Sequence, residues 1–251
     1  MLKLQNIDIT LGHGSKLERK VLNKLNLSVN RGEFVVIIGG NGAGKSTILN
    51  VISGVLIPDS GKVILDNNDI TNSPQYKRSL AIAKVMQDPK VGTMENMTIL
   101  ENMAFAYLRG IKRGLTPYSN TKRKKIFQDK LSMLGMGLEN RMDELVANLS
   151  GGQRQALSLI MAIIANSKVL LLDEITAALD PKIAESVMSI AAKVITENKL
   201  TTIMITHNMS HAIKYGNRIL LLDNGQFIKE FSSGDKQVLT PLALAAEFGE
   251  I

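Results

Sequence analysis

The stretch Gly39-Gly40-Asn41-Gly42-Ala43-Gly44-Lys45-Ser46-Thr47 decides the reading, because it fills the pattern G-x-x-x-x-G-K-[ST] without a gap. Backbone N–H groups can converge on a triphosphate only where no Cβ blocks the approach, which accounts for Gly39, Gly42 and Gly44. Lys45 adds a point charge for the β- and γ-phosphates, and the Ser46 hydroxyl can ligate the Mg²⁺ that accompanies them. The flanks agree. Phe34-Val35-Val36-Ile37-Ile38 is a short β-branched apolar run of the kind a parallel strand buried on both faces needs. Thr47 to Ile52 reads as a helix whose N-terminus turns its partial positive charge towards the phosphates. A Gly-rich turn with a chance lysine would not bring strand, loop and helix in this order, so a nucleotide site is expected.

Upstream of the loop, residues 2 to 38 alternate short apolar segments with turns. Leu25, Leu27 and Val29 alternate with Asn26 and Ser28 as in a half-buried strand, and the region predicts a small antiparallel sheet laid against a parallel one. Downstream, Pro58-Asp59-Ser60-Gly61 is turn chemistry, and Lys62 to Leu65 is a short strand. Ala81 to Met86 predicts another strand, ending at Gln87-Asp88-Pro89. That places an amide at the C-terminal edge of the sheet, where open α/β sheets bind ligands. From about residue 90 to 165 the pattern turns helical, with two capping boxes, Thr98 to Glu101 and Ser150 to Gln153. This is far more chain than a βαβ crossover needs, so it predicts an inserted helical subdomain. Its methionines, Met94, Met97, Met103, Met133, Met136 and Met142, suit core filling or a groove for a partner helix.

Lys168 to Glu174 is the clearest buried strand in the chain, and it ends in two acids, Asp173 and Glu174. Asp173 is placed to contact Mg²⁺, and Glu174 to polarise a water for in-line attack on a γ-phosphate. Asp180-Pro181 starts a helix, with Asp as N-cap and Pro at the first helical position. Thr201 to Ile205 is a further strand ending at Thr206-His207. Arg218 to Leu222 and Gln226 to Lys229 form a hairpin around Asn224-Gly225, and Leu242 to Phe248 a closing helix.

Composition bounds the rest. With 251 residues the chain suits one large α/β domain, with no room for two nucleotide domains in tandem. No run of about 18 apolar residues spans a membrane, no export signal is visible, and the absence of Cys fits a reducing cytosol. The 30 basic and 23 acidic residues give +7. Seven basic residues and no acid lie between Arg109 and Lys125 (Arg109, Lys112, Arg113, Lys122, Arg123, Lys124, Lys125), so 7 − 7 = 0 leaves the remainder neutral. That patch reads first as a solvated face, then as a contact for anionic lipid or an acidic partner; only Tyr118 interleaves it, against nucleic acid. His207 and His211 have zinc-pair spacing, but no H-E-x-x-H glutamate accompanies them.

A phosphate loop alone leaves kinases, GTPases, helicases and transport ATPases open. Leu149-Ser150-Gly151-Gly152-Gln153-Arg154-Gln155 narrows them: with the other motifs the chain resembles the ATP-binding subunit of an ABC transporter, whose signature is this heptad. The resemblance implies an α/β P-loop NTPase with a RecA-like parallel core, an antiparallel β-subdomain and the inserted helical subdomain. The whole chain would be one such domain, about 1–89 and 166–251 forming core and β-subdomain and about 90–165 the helical part. It implies ATP and Mg²⁺ as ligands and a head-to-tail homodimer, in which Ser150, Gly151, Gly152 and Gln153 reach the partner subunit's ATP. Gln87 matches the glutamine that senses Mg²⁺ and γ-phosphate, Asp180 the dimer-crossing loop, and His207 the histidine that orients the attacking water. Leu11 or His13 falls where the family usually places an aromatic against adenine, which predicts loose base selectivity. Ile175 stands where proline is common.

The resemblance also implies a separate transmembrane permease, and location as a peripheral protein on the cytoplasmic face of the membrane. Gly92 to Thr98 and Thr206 to Ile213 look like a bacterial group paired with a substrate-binding lipoprotein and thought to import aromatic amino acids. No nucleic-acid partner is expected. The rival is a soluble ABC ATPase in cofactor (Fe–S) assembly or nucleic-acid processing; no sustained heptad for a long coiled coil is present.

Overall fold

In the computed structural model, residues 1–110, 117, 120–165 and 167–247 are described. The chain divides into two compact units, one of residues 1–79 with 199–251 and one of residues 80–198.

The first unit opens with β1 (Leu2–Leu11) and β2 (Arg19–Val29), which pair antiparallel. Leu2, Leu4, Ile7 and Ile9 of β1 meet Leu22, Leu25, Leu27 and Val29 of β2 in the core. β3 (Phe34–Ile38) has all five residues buried, and α1 (Lys45–Ser53) follows the phosphate loop. β4 (Ser60–Leu65), the two-residue β5 (Asn68–Asp69) and the single turn α2 (Gln75–Arg78) complete this segment. The antiparallel sheet has the order β2-β1-β4-β5. Arg78, 3% exposed, donates to the Val51 and Ile52 carbonyls at 2.6 and 3.0 Å. It thereby satisfies the acceptors that the end of α1 leaves over.

The second unit begins with β6 (Ile82–Val85), followed by α3 (Pro89–Gly92), α4 (Ile99–Tyr107), α5 (Thr121–Ser132) and α6 (Gly151–Ile163). β7 (Val169–Asp173) pairs parallel with β6, and α7 (Pro181–Glu197) closes the unit. Both expected capping boxes form, at Thr98–Glu101 and Ser150–Gln153. α7 buries Ala184, Val187, Met188, Ala191, Val194 and Ile195, the i, i+3, i+4, i+7 stripe of a helix with one inward face. α6 is buried nearly all round from Gly152 to Ile163, Gln153 being its partly exposed exception. Each large side chain it removes from water contributes about 1.5–3 kcal/mol. The methionines split: Met103 and Met142 are core, whereas Met97 is 40% exposed. Lys122, Lys124 and Lys125 are exposed along α5, with Lys125 paired to Asp129, whereas Arg109 departs from the solvated-face reading, its Nη2 donating to Ser167 Oγ at 2.6 Å and to the Ala162 carbonyl at 3.2 Å. Lys112, Arg113 and Tyr118 lie outside the described residues.

The chain returns to the first unit with β8 (Thr201–Ile205), α8 (Met209–Tyr215), β9 (Arg218–Asp223), β10 (Gln226–Phe231) and α9 (Pro241–Ala246). β3 lies between β8 and β9, parallel to both, and β10 pairs antiparallel with β9. Phe248 of the expected closing helix lies outside the described residues.

Candidate nucleotide site

In the first unit the strand ends assemble the phosphate loop. Ile37 pairs with Ile205 and Ile38 with Leu221, so the loops after β3, β8 and β9 emerge at one edge. The segment Gly39 to Gly44 therefore leaves β3 beside His207, which follows β8 and is exposed. Gly39 has no alternative: a Cβ there would lie 2.3 Å from the Leu222 carbonyl oxygen. Gly44 adopts φ 106 as it starts α1, in backbone space that side chains rarely enter. Gly40 has open space where a Cβ would be. Lys45 is 7% exposed and folds back, its Nζ donating to the Gly39 and Gly40 carbonyls at 2.6 and 2.8 Å. Asn41, Ala43, Ser46 and Thr47 occupy the loop and the first turn of α1 as expected.

Two further supports of this loop escaped the sequence reading. Arg19, at the start of β2, donates from Nη2 to the Gly42 carbonyl at 2.8 Å. The Asn224-Gly225 turn, with φ 44 and 74 as in a type I′ hairpin, donates from the Gly225 N–H to the Ala43 carbonyl at 3.1 Å. A charged residue at a strand start gives no sequence signal for such a role. The hairpin was legible, its docking under the loop was not.

The two expected base contacts separate. Leu11, 42% exposed, pairs with Arg19 across the β1–β2 ladder, and Arg19 in turn touches Gly42. His13 is engaged elsewhere: its Nε2 lies 3.2 Å from Asp59 Oδ1, while the Thr10 N–H donates to Asp59 Oδ2. Burial works against the Asp59 charge, but these hydrogen bonds prevail and hold its carboxyl below the ordinary range.

In the second unit, Ile82 to Val85 pair with Val169 to Leu172, so Gln87 and the two acids emerge at the same strand edge. Gln87 is exposed and Asp173 buried. Asp173 Oδ2 lies 2.9 Å from the Lys84 ammonium, a neighbour the sequence reading missed because it alternates into β6 like any strand residue. Glu174 has φ 49, a left-handed conformation that costs a residue with a Cβ about 1–2 kcal/mol. A following proline would steer it to extended backbone; Ile175, buried at 2% exposure, leaves that turn open.

The signature segment starts α6. Ser150 Oγ accepts from the Gln153 N–H at 3.3 Å, and Gln153 Oε1 accepts from the Ser150 N–H at 3.1 Å, so the Gln153 amide is turned back into its own cap. The two glycines differ. Gly151 is exposed, and a Cβ there would meet Leu179 at an ordinary 3.5 Å; at Gly152 it would lie 2.3 Å from Ile183 Cγ2 on α7. Gly152 thus serves the approach of α6 to α7. Arg154 and Gln155 fasten α6 to the segment after β6: Arg154 Nε donates to Thr93 Oγ1 at 2.6 Å and Gln155 Nε2 to the Met86 carbonyl at 3.1 Å. Asp180 stands at the N-cap position of α7 as expected, but its side chain makes no capping hydrogen bond.

A glycine-lined phosphate loop between a buried parallel strand and a helix, in an α/β chain, defines a P-loop nucleoside-triphosphatase. Residues 22–177 match the ABC transporter family, and the chain belongs to that family as an ATP-binding cassette that binds and hydrolyses ATP. It is 39% identical over 248 residues to the tyrosine transport ATP-binding protein of Clostridioides difficile, covering 99% of this chain and 98% of the relative. It is 36% identical over 212 residues to the spermidine/putrescine import ATP-binding protein PotA of Haemophilus influenzae, covering 84% of this chain but 54% of that one. Among solved structures, a dimeric post-hydrolysis state of an ATP-binding cassette bound to ADP and Pi superposes with TM-score 0.79 at 32% identity. That alignment covers 93% of this chain and 99% of that one.

Proposed function

We propose that this chain powers a bacterial importer of an amino acid, working as an ATP-dependent homodimer on the cytoplasmic face of the membrane beneath a separate permease, with a substrate-binding lipoprotein delivering the solute. The observation that carries the amino-acid reading is the end-to-end likeness to a tyrosine transport ATP-binding protein. Relatives named for transport also weigh against the soluble Fe–S assembly or nucleic-acid reading. Among the described residues no helix is long and apolar enough to cross a membrane, so transport by this chain needs a partner that does.

Each motif then has a task. Gly39 to Thr47 bind the triphosphate, with the Lys45 ammonium exchanging two carbonyls for phosphate oxygens. Leu11 rather than His13 faces the base, since Asp59 holds His13. Glu174 polarises the attacking water, and Gln87 and His207 respond to the γ-phosphate. Ser150 and Gly151 offer open backbone to the partner subunit's ATP, Gly152 and Gln153 shape that helix start, and Asp180 lies on the dimer face. A helical subdomain of about residues 90–165 belongs to the same proposal.

Magnesium fits the donors present. Among the described residues no three His, Asp or Glu are grouped to cage a metal, and Mg²⁺ needs no such cage, being held by one or two carboxylates together with phosphates and water. Asp173 already has a cation beside it. In the second unit Asp173 and Gln87, which emerge at the same strand edge, would hold the ion, which when bound neutralises charge developing on the β- and γ-phosphates.

The permease is assigned to a cavity of about 270 Å³ in the second unit, lined by Val91, Met94, Phe105 and Met161 among others. Val91 is 69% and Phe105 50% exposed, apolar surface of the kind that receives an amphipathic helix. Tagging the chain in its own cell and solubilising the membranes in mild detergent tests this. A stoichiometric multi-span protein with a lipoprotein is the expected result. Recovery from the soluble fraction with soluble partners or none would overturn it in favour of the assembly role.

A further inference from the structure

Lys84 is the lysine that β6 sends to the acid at the end of β7. Its ammonium lies 2.9 Å from Asp173 Oδ2, and the two side chains are only 13% and 12% exposed. A lysine this enclosed persists because it is paired. The pairing is nonetheless unusual in kind: a carboxylate suited to a divalent ion has a monovalent one beside it.

We propose that Lys84 is a positioning residue that neutralises Asp173 in the metal-free protein and yields it to Mg²⁺ when nucleotide enters, so that it sets the metal affinity of the site. The inference rests on the reading of Asp173 as the magnesium contact. Two cations within a few ångströms of one carboxylate repel, and the repulsion is strong where solvent is scarce. Lys84 has a flexible four-carbon stem and also lines the cavity beside Val91 and Phe105, so it has somewhere to withdraw. Metal binding must displace Lys84 or share Asp173 with it, and either lowers the affinity.

Mn²⁺ titrated into the full-length chain with saturating ADP, free ion being followed by electron paramagnetic resonance, reads the affinity without turnover. Lys84→Met should tighten Mn²⁺ binding roughly tenfold, about 1.4 kcal/mol at equilibrium. Lys84→Arg, which keeps the cation, should stay near the parent value, and ADP affinity in EDTA should be the same for all. A packing lesion at position 84 would not tighten binding. Asp173→Asn separates the two claims. If it weakens Mn²⁺ binding while Lys84→Met leaves it unchanged or weaker, the role of Lys84 is overturned and that of Asp173 stands. If Asp173→Asn binds Mn²⁺ like the parent, the metal reading of Asp173 falls, and this inference with it. Should Lys84→Met fail to fold by thermal melting, Lys84→Gln carries the same expectations.

Discussion

Replacing Gly152 by alanine should destabilise the fold, whereas the same change one residue earlier should not. A Cβ on Gly152 would come 2.3 Å from Ile183 Cγ2; on Gly151 the nearest atom is Leu179 Cδ2 at 3.5 Å. Forcing a methyl into packed space costs about 1–3 kcal/mol, and alanine returns up to about 1 kcal/mol over glycine within a helix. With both terms near their middle, about 2 less about 0.5, the net for Gly152→Ala is a loss of about 1.5 kcal/mol. For a chain of this size each kcal/mol moves the melting midpoint by about 2–4 °C, so differential scanning calorimetry should show a fall of roughly 3–6 °C. Gly151→Ala should melt at or slightly above the parent midpoint, and under the proposed function, in which its exposed backbone meets the partner's nucleotide, it should lose ATP turnover. Ile183→Ala removes the obstructing methyl, so adding Gly152→Ala to that variant should cost nothing further. A parent-like midpoint for Gly152→Ala, or an undiminished cost in the Ile183→Ala background, would refute the packing role.

Two other outcomes follow from the β-sheet unit. Hydrogen bonds from Lys20, then Ser60 and the Lys24 N–H, hold the Asp8 carboxyl at about 2, against an ordinary 3.8. A depressed folded-state value stabilises above the unfolded value and is lost as pH falls through the folded one, so this contribution is complete above about pH 5, falls as pH drops through about 2 and is gone near pH 1. Screening at this partly exposed site limits it to about 1 kcal/mol; urea titrations should show Asp8→Asn weaker by that amount at pH 7, with the gap closing as pH falls through about 2. The proposed contact of Leu11 with the base predicts that ATP and GTP compete with similar inhibition constants, and a strong ATP preference would count against that assignment.

The fold and the phosphate loop were legible because each rests on local chemistry. The apolar run Phe34 to Ile38, the strand ending in Asp173-Glu174 and the two capping boxes are patterns a few residues long, and all appear where the pattern put them. What stayed hidden depends on partners distant in sequence. Arg19 finds Gly42 across 23 residues and Gln155 finds Met86 across 69. Lys84 finds Asp173 only because two strands far apart in the chain pair in register. The signature glycines show the same limit: nothing local in the sequence signals that Gly152 lies against Ile183 of the following helix. The left-handed turn at Glu174 was not readable either, since a glutamate signals no positive φ.

The most direct test of the account is ATP turnover by Glu174→Gln, compared with the parent under saturating Mg²⁺·ATP and alongside nucleotide binding and oligomeric state by size exclusion. Loss of a general base predicts hydrolysis slowed by about 10²- to 10⁴-fold, with ATP binding intact and a stable dimer trapped by ATP. Hydrolysis at the parent rate, with no ATP-dependent dimer, would contradict it.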